Sequence, residues 1–217
     1  RPVGDAMATT IWGTSSSWTL TALPLFVWMG EILFRTKLSE NLFKGLAPWM
    51  SRLPGGLIHV NVVGCALFAA ISGSSAATVA TVGKMSIPEL RKRNYPEKLL
   101  LGSLAGSGTL GLLIPPSIIL IIYGVTVQES IAKLFIAGII PGIMIAIFFM
   151  FYVIGWSMLN KNIMPKMEET FSFSQKIKQS GQLIPVIVLI VAVIGSIYAG
   201  IATATEAASL GVVGALI

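Results

Sequence analysis

The 217-residue chain is 54% hydrophobic and 11% charged, with a mean hydropathy of +0.83. Soluble domains carry roughly 25% charged and 45–50% apolar residues, so this is the composition of a membrane protein. The formal charge of +6 does not point to nucleic acid, because the basic residues fall in connectors between apolar runs, without interleaved aromatics. Residues so placed are read as topology signals.

Apolar runs begin near Ile11, Leu57, Leu99, Leu134 and Leu183. Each has about 20 residues or more, enough to cross roughly 30 Å of hydrocarbon. Backbone groups in lipid must be satisfied within their own segment, so the expected fold is an all-α polytopic membrane protein. The start, Arg1-Pro-Val-Gly-Asp5, has no initiator Met and no charged region leading to a cleavage site, so no signal peptide is read. The last seven residues, from Gly211, stop inside an apolar run, and the expectation is a piece of a longer chain.

Residues 1–56 are expected to hold one membrane helix followed by an interfacial helix. Glu31 lies near the cytoplasmic end of that span; an acid there is a functional candidate, weakened by its reach to the interface. Leu42, Phe43, Leu46 and Trp49 recur near helical period, as in a helix lying at the membrane surface.

Residues 57–83 contain "FAAISGSSAATVAT", Phe68 to Thr81, a small hydroxyl-rich break in an apolar run. Its meaning comes from charge. The connectors Arg35–Arg52, Lys84–Lys98 and Asn160–Lys178 hold four, five and four basic residues, whereas Gly124–Lys133 holds one. If every run crossed, the first two basic connectors would face opposite sides, against the positive-inside rule. Splitting 57–82 at Ser72-Gly73-Ser74-Ser75 gives arms of roughly 15 and 7–10 residues, too short to span but suited to a re-entrant hairpin opening to the cytoplasm. Exposed backbone at its tip is tolerated where protein or a watery cavity surrounds it. The competing reading, a small-residue packing face on an ordinary span, leaves the charge imbalance unexplained. Cys65, the one cysteine, is expected to pack.

Residues 84–133 are read as a basic cytoplasmic loop that includes Pro88–Arg93, a broken span and an external loop. The run 99–123 holds Gly102, Gly106, Gly108 and Gly111, then Pro115 and Pro116. Glycine costs about 1 kcal/mol and proline about 3 kcal/mol in a helix interior, so this cluster is expected to unwind the helix. Two adjacent interrupted segments point to a substrate and ion site, where half-helix ends face anions and unwound carbonyls hold Na⁺; Ser107 and Thr109 could add hydroxyls. The alternative for the glycines is a Gly102-xxx-Gly106 packing face, which does not account for the prolines.

Residues 134–182 are read as a membrane helix with a cytoplasmic connector, and 183–217 as a further membrane helix leading into a last apolar stretch. Glu206 is read as a helix-capping partner of Thr203 or Thr205, or else as lining a second half-site. Gly106 to Gly111 matches G-x-G-x-x-G but lacks the strand a dinucleotide site needs. The one histidine, His59, has no acid in its span to orient it, which argues against hydrolase chemistry and for packing or an interfacial place. No metal-ligand cluster is visible.

"PLFVWMGEIL" (24–33), "RLPGGL" (52–57), "FAAISGSSAAT" (68–78), "GTLGLLIPPSIILIIYG" (108–124), "LFIAGIIPG" (134–142) and "GIATATEAA" (200–208) resemble, in order and spacing, the large membrane subunit of tripartite ATP-independent periplasmic (TRAP) transporters. Ala204 departs from the family pattern, which has proline there. The resemblance implies a sodium-coupled secondary importer of small organic acids in a bacterial inner membrane, not an enzyme. It also implies a periplasmic substrate-binding protein and a small membrane subunit as partners, with no cofactor beyond Na⁺ as coupling ion. Two inverted repeats would work as an elevator, the second starting within 183–217. Ser72, Gly73 and Ser74 with Gly106, Gly108 and Thr109 would form a sodium site, Ser75 and Thr78 would face the substrate cavity, and Pro115 and Pro116 would hold the helix open. Sialic acid and C4-dicarboxylates both fit. No arginine falls in the apolar spans, so a carboxylate-binding arginine would come from elsewhere. The rival reading is a channel or pore subunit built on a re-entrant loop.

Overall fold

The computed structural model describes residues 3–165 and 172–216. The terminal Arg1, Pro2 and Ile217 and the connector residues 166–171, Lys166 among them, lie outside them. The described residues form helices and no strands: α1 Val3–Ser15, α2 Ala22–Arg35, α3 Leu38–Met50, α4 Ile58–Ser72, α5 Ser75–Lys92, α6 Glu97–Gly108, α7 Ile118–Val127, α8 Ile131–Leu159, α9 Phe173–Ser180, α10 Ile184–Tyr198 and α11 Ala204–Leu216.

Two helical stretches are long and apolar enough to cross a membrane alone, α8 with 29 residues and the joined α9–α10, Phe173–Tyr198, with 26. The expected first span is broken: α1 and Trp18–Arg35 meet at 50°. The bend follows Thr14-Ser-Ser-Ser17, where Thr14 Oγ1 donates back to Thr10 O at 3.0 Å. Hydroxyls that bond the preceding turn compete with helix continuation.

The 57–82 run doubles back. Gly73 takes φ +61° and ends α4, and Ser74 starts α5. A Cβ on Gly64 would lie 3.5 Å from Val82 Cγ1. In one straight helix these residues would be about 27 Å apart, at 1.5 Å per residue. At the base, Leu57 N–H donates to Tyr95 Oη at 3.1 Å, joining the two ends of the hairpin. Burial pushes the Tyr95 phenol upward, so it stays neutral there. Arg91 Nε, 3.2 Å from both carboxylate oxygens of Glu97, clamps α5 to α6 and holds the Glu97 carboxyl below its ordinary range.

The second arm is longer than expected. α5 runs 18 residues, through Pro88 to Lys92, so Pro88–Arg93 is largely helix and not loop. Leu90 is fully buried and anchors the last turn, and its carbonyl accepts from Tyr95 N at 3.1 Å. Packing and that closing bond offset the one donor that proline removes.

Helix α3 forms as its periodicity predicts, but it does not lie free at a surface. Leu42, Phe43 and Leu46 are buried, sharing a small cleft with Val60 and Gly64 of α4 and Val82 and Met85 of α5. Trp49 stays partly exposed; its Nε1 donates to Ser180 Oγ at 2.8 Å, and the Lys176 ammonium stands 5.4 Å from its ring centre. On the other side α2, α10 and α11 pack together, with Gly211 of α11 against Met29 and Val193. In lipid, close approach at small residues carries association, since apolar side chains gain little over lipid tails.

Candidate functional site

The break in the 99–123 run falls later than the glycines suggest. Gly102, Gly106 and Gly108 remain in α6, which tightens into a 3-10 turn over Thr109–Leu112 before unwinding at Leu113–Ser117, with a cis Pro115–Pro116 bond. Gly106, Gly108 and Gly111 are close-approach points. A Cβ on Gly108 would strike Val79 Cγ2, one on Gly106 would lie 3.1 Å from Phe149, and one on Gly111 would lie 2.8 Å from the Ser74 carbonyl and the Ser75 nitrogen. They hold α6 and its 3-10 extension against the hairpin and α8.

The hairpin tip and the proline break therefore meet. Ile118 N–H donates to Gly73 O at 3.2 Å, and a Cβ on Gly73 would lie 2.6 Å from Pro116 O. Four helix ends converge: the C-terminal ends of α4 and the 3-10 turn, and the N-terminal ends of α5 and α7. Both N-termini are serine-capped in the same extended conformation, Ser74 accepting from Ala77 N at 3.4 Å and Ser117 from Leu120 N at 3.5 Å. No Asp, Glu, Lys or Arg occurs in 53–83 or 99–128, so the local field is that of peptide dipoles. Helix C-termini favour cations and N-termini favour anions.

The predicted residues divide by position. Ser72 and Thr78 are fully buried; Thr78 Oγ1 donates to Ser74 O at 2.8 Å, which leaves Ser72 Oγ to donate to Thr78 Oγ1 at 3.0 Å. Gly73, Ser74 and Ser75 form the tip. Ser75 Oγ is buried with no partner among the described residues. Gly108 touches this group through Val79 and Ser75 of α5, Pro116 lies against Gly73, and Pro115 lies beside Gly138 of α8. Gly106 faces Phe149 instead, and Thr109 is exposed with Oγ1 donating to Gly106 O at 2.7 Å.

Several supporting residues carry little sequence signal. Ser117 is one; a hydroxyl directly before the run "IILIIY" is the cap pattern that marks it. Gly138 and Gly142, one turn apart on α8, receive the unwound segment: their Cβ positions fall 2.9 Å from Leu113 O and 2.8 Å from Ile114 Cγ1. Gly30 of α2 reaches the tip, its Cβ position 3.1 Å from Ser72 Cβ. Asn61 lies wholly buried in the α4–α6 seam, donating through Nδ2 to Ser103 Oγ at 2.9 Å and Leu100 O at 3.3 Å, while Ser107 Oγ donates to Ser103 O at 2.6 Å.

The other candidates have local roles. Glu206 caps α11, accepting from Thr203 N and Thr203 Oγ1, each at 2.8 Å. Glu31 pairs with Arg35 at 2.8 Å. His59 is fully buried, Nε2 2.8 Å from Pro54 O and Nδ1 3.0 Å from Met150 Sδ, and Cys65 is buried in the same helix, α4. Cavities of about 760 Å³, near Thr10, Thr14, Gln128 and Thr203, and of about 1090 Å³, near Lys44, Lys92, Tyr95 and Gln182, lie away from the junction and are lined by none of the predicted site residues.

Residues 2–217 match the family described as "Tripartite ATP-independent periplasmic transporter, DctM component". The chain is 34% identical over 208 residues to the C4-dicarboxylate TRAP transporter large permease protein DctM of Pseudomonas aeruginosa, covering 96% of this chain and 48% of that protein. It is 34% identical over 194 residues to the sialic acid TRAP transporter permease protein SiaT of Haemophilus influenzae, covering 88% and 31%. To the isethionate TRAP transporter permease protein DctMQ of Oleidesulfovibrio alaskensis it is 35% identical over 214 residues, covering 95% and 32%. The chain thus spans at most about half the length of these relatives. With a family match over nearly its whole length, the chain belongs to the DctM component, the large permease subunit, of the tripartite ATP-independent periplasmic transporters.

Proposed function

We propose that this chain supplies one half of a transport core that imports a small organic acid with Na⁺ across a bacterial inner membrane. A periplasmic binding protein delivers the acid, and a small membrane subunit packs alongside. The observation that carries the reading is the meeting of the hairpin tip with the proline break, joined by the Ile118–Gly73 hydrogen bond.

Such a junction suits a cation and an anion together. The C-terminal ends of α4 and of α6 with its 3-10 turn present carbonyl character to Na⁺: Ser72, Gly73, Ser74 and Gly108 stand at the junction as oxygen-bearing residues, and Gly106 and Thr109 flank it at this end of α6, the one facing Phe149 and the other exposed. The capped N-termini of α5 and α7 present N–H dipoles to a carboxylate, with Ser75 and Thr78 on that side. Pro115 and Pro116 keep the span open where these ends meet. The hairpin enters and leaves the membrane from the cytoplasmic face, which puts the basic connectors on one side. It moves with α6 as one packed body against α2, α10 and α11, in an elevator-like step.

The relatives' names cover C4-dicarboxylates, sialic acid, isethionate, 2,3-diketo-L-gulonate and ectoine. Uptake of a panel of these by the complete transporter in proteoliposomes, with and without a sodium gradient and the cognate binding protein, tests the reading. Saturable, sodium-driven uptake of an acid is expected, weakened in Ser74→Ala and Thr109→Ala. Wild-type sodium response in both variants removes the ion assignment, and sodium-independent, unsaturable flux favours a channel.

A further inference from the structure

The apolar runs hold no lysine or arginine to meet a carboxylate, but the hairpin carries one cation just beyond them. Lys84 is the only Lys or Arg between Leu53 and Leu90. It shares an exposed stripe of α5 with Ala76 and Ala80, spaced four residues apart, which runs away from the tip. At 1.5 Å per residue, Lys84 lies roughly 14 Å along the axis from Ser75.

Helix α2 touches the hairpin at the tip and at the outer end of this stripe. Gly30 and Phe34, one turn apart, touch the hairpin at two levels: Gly30 against Ser72 at the tip, and Phe34 with its ring centre 4.7 Å from the Lys84 ammonium. Helix α2 thus meets the hairpin at the tip, through Ser72 at the end of α4, and again at Lys84 of α5 through a cation–π contact, with Ala76 and Ala80 exposed between the two levels. Glu31, the acid on this part of α2, is paired with Arg35 and does not neutralise Lys84. A ring face attracts an ammonium through its quadrupole, whereas a carboxylate offers a full opposite charge and accepts a charge-assisted hydrogen bond.

We propose that Lys84 receives the carboxylate of the acid as it leaves the hairpin tip along the exposed stripe of α5, and that Phe34 holds the ammonium when no acid is there. This rests on the reading that the junction binds an organic acid and that α5 leads from it to the cytoplasm. Lys84 is then a specificity-determining residue on the cytoplasmic side, and the Phe34 contact occupies its ammonium between turnovers.

The test uses the complete transporter, with succinate and sialic acid as probes presented at the cytoplasmic face in counterflow. Lys84→Met is expected to raise KM there about fivefold or more with kcat within about twofold, the signature of lost binding. Lys84→Arg keeps the charge and stays within about twofold of wild type, and Phe34→Leu lowers KM by freeing the ammonium. An unchanged KM in Lys84→Met, or equal kcat losses in Lys84→Met and Lys84→Arg, overturns the proposal. Acylation of Lys84 by an amine-reactive ester, read by peptide mass spectrometry on the solubilised transporter, gives an answer without transport. Slower acylation with either acid supports the site, and no protection by either overturns it. Protection without sodium-driven uptake defeats the transport reading while leaving the carboxylate site standing.

Discussion

Two stretches of one apolar run carry helix-breaking residues, and only one breaks. Gly102, Gly106 and Gly108 stay helical, whereas the chain unwinds from Leu113 to Ser117 around Pro115 and Pro116. Glycine's cost is entropic and is recovered where a bare backbone lets neighbours approach, as Gly108 does with Val79. Proline's cost is a missing donor and a ring clash, which no neighbour restores within a helix. In this fold Gly106, Gly108 and Gly111 join segments together and the prolines separate them.

The contrast can be tested glycine by glycine, reading thermal unfolding of the solubilised transporter. Gly73→Ala should be worst: a left-handed φ of +61° and a Cβ 2.6 Å from a backbone oxygen leave no side chain able to yield. A loss of about 3 kcal/mol or more is expected, with tip function abolished. Gly108→Ala should cost about 1–3 kcal/mol and be largely recovered by adding Val79→Ala, because the obstacle is one side chain; additive losses would refute the close-approach account. Asn61→Leu removes the Nδ2 bonds but leaves Ser103 satisfied by Leu100 O at 2.9 Å, so about 1 kcal/mol is expected. Gly102→Ala, with nothing within 4 Å of its Cβ position, should stabilise by about 0.5–1 kcal/mol. Destabilisation at Gly102 would mean that this glycine, too, packs against something.

The same physics shows what the amino-acid sequence makes legible. The turn at Ser72–Ser75 can be read because small hydroxyl residues in an apolar run coincide with a charge pattern that forbids a crossing. The bend after Thr14-Ser-Ser-Ser17 has the same chemistry but lies at the start of a run whose far end satisfies the charge rule, so nothing flags it. The proline break is legible from backbone chemistry alone. The persistence of α6 is not, because it depends on Val79 and Phe149, which are distant along the chain. Helix α3 is readable as amphipathic from its period, but its partner is not: the same Leu42, Phe43 and Leu46 face would serve a membrane surface or, as here, the flank of the hairpin. Gly138 and Gly142 look like ordinary small residues of a long span until Leu113 and Ile114 are seen resting on them.

The claim on which the transport reading depends is that both arms of the hairpin start and finish on one side of the membrane. Single cysteines at Arg52→Cys and Arg93→Cys, in a Cys65→Ala background of the complete transporter, can be probed with a membrane-impermeant maleimide. Both positions should be protected in intact spheroplasts and both labelled in inverted vesicles. Labelling of one position in each preparation would put the two ends on opposite faces and contradict the account.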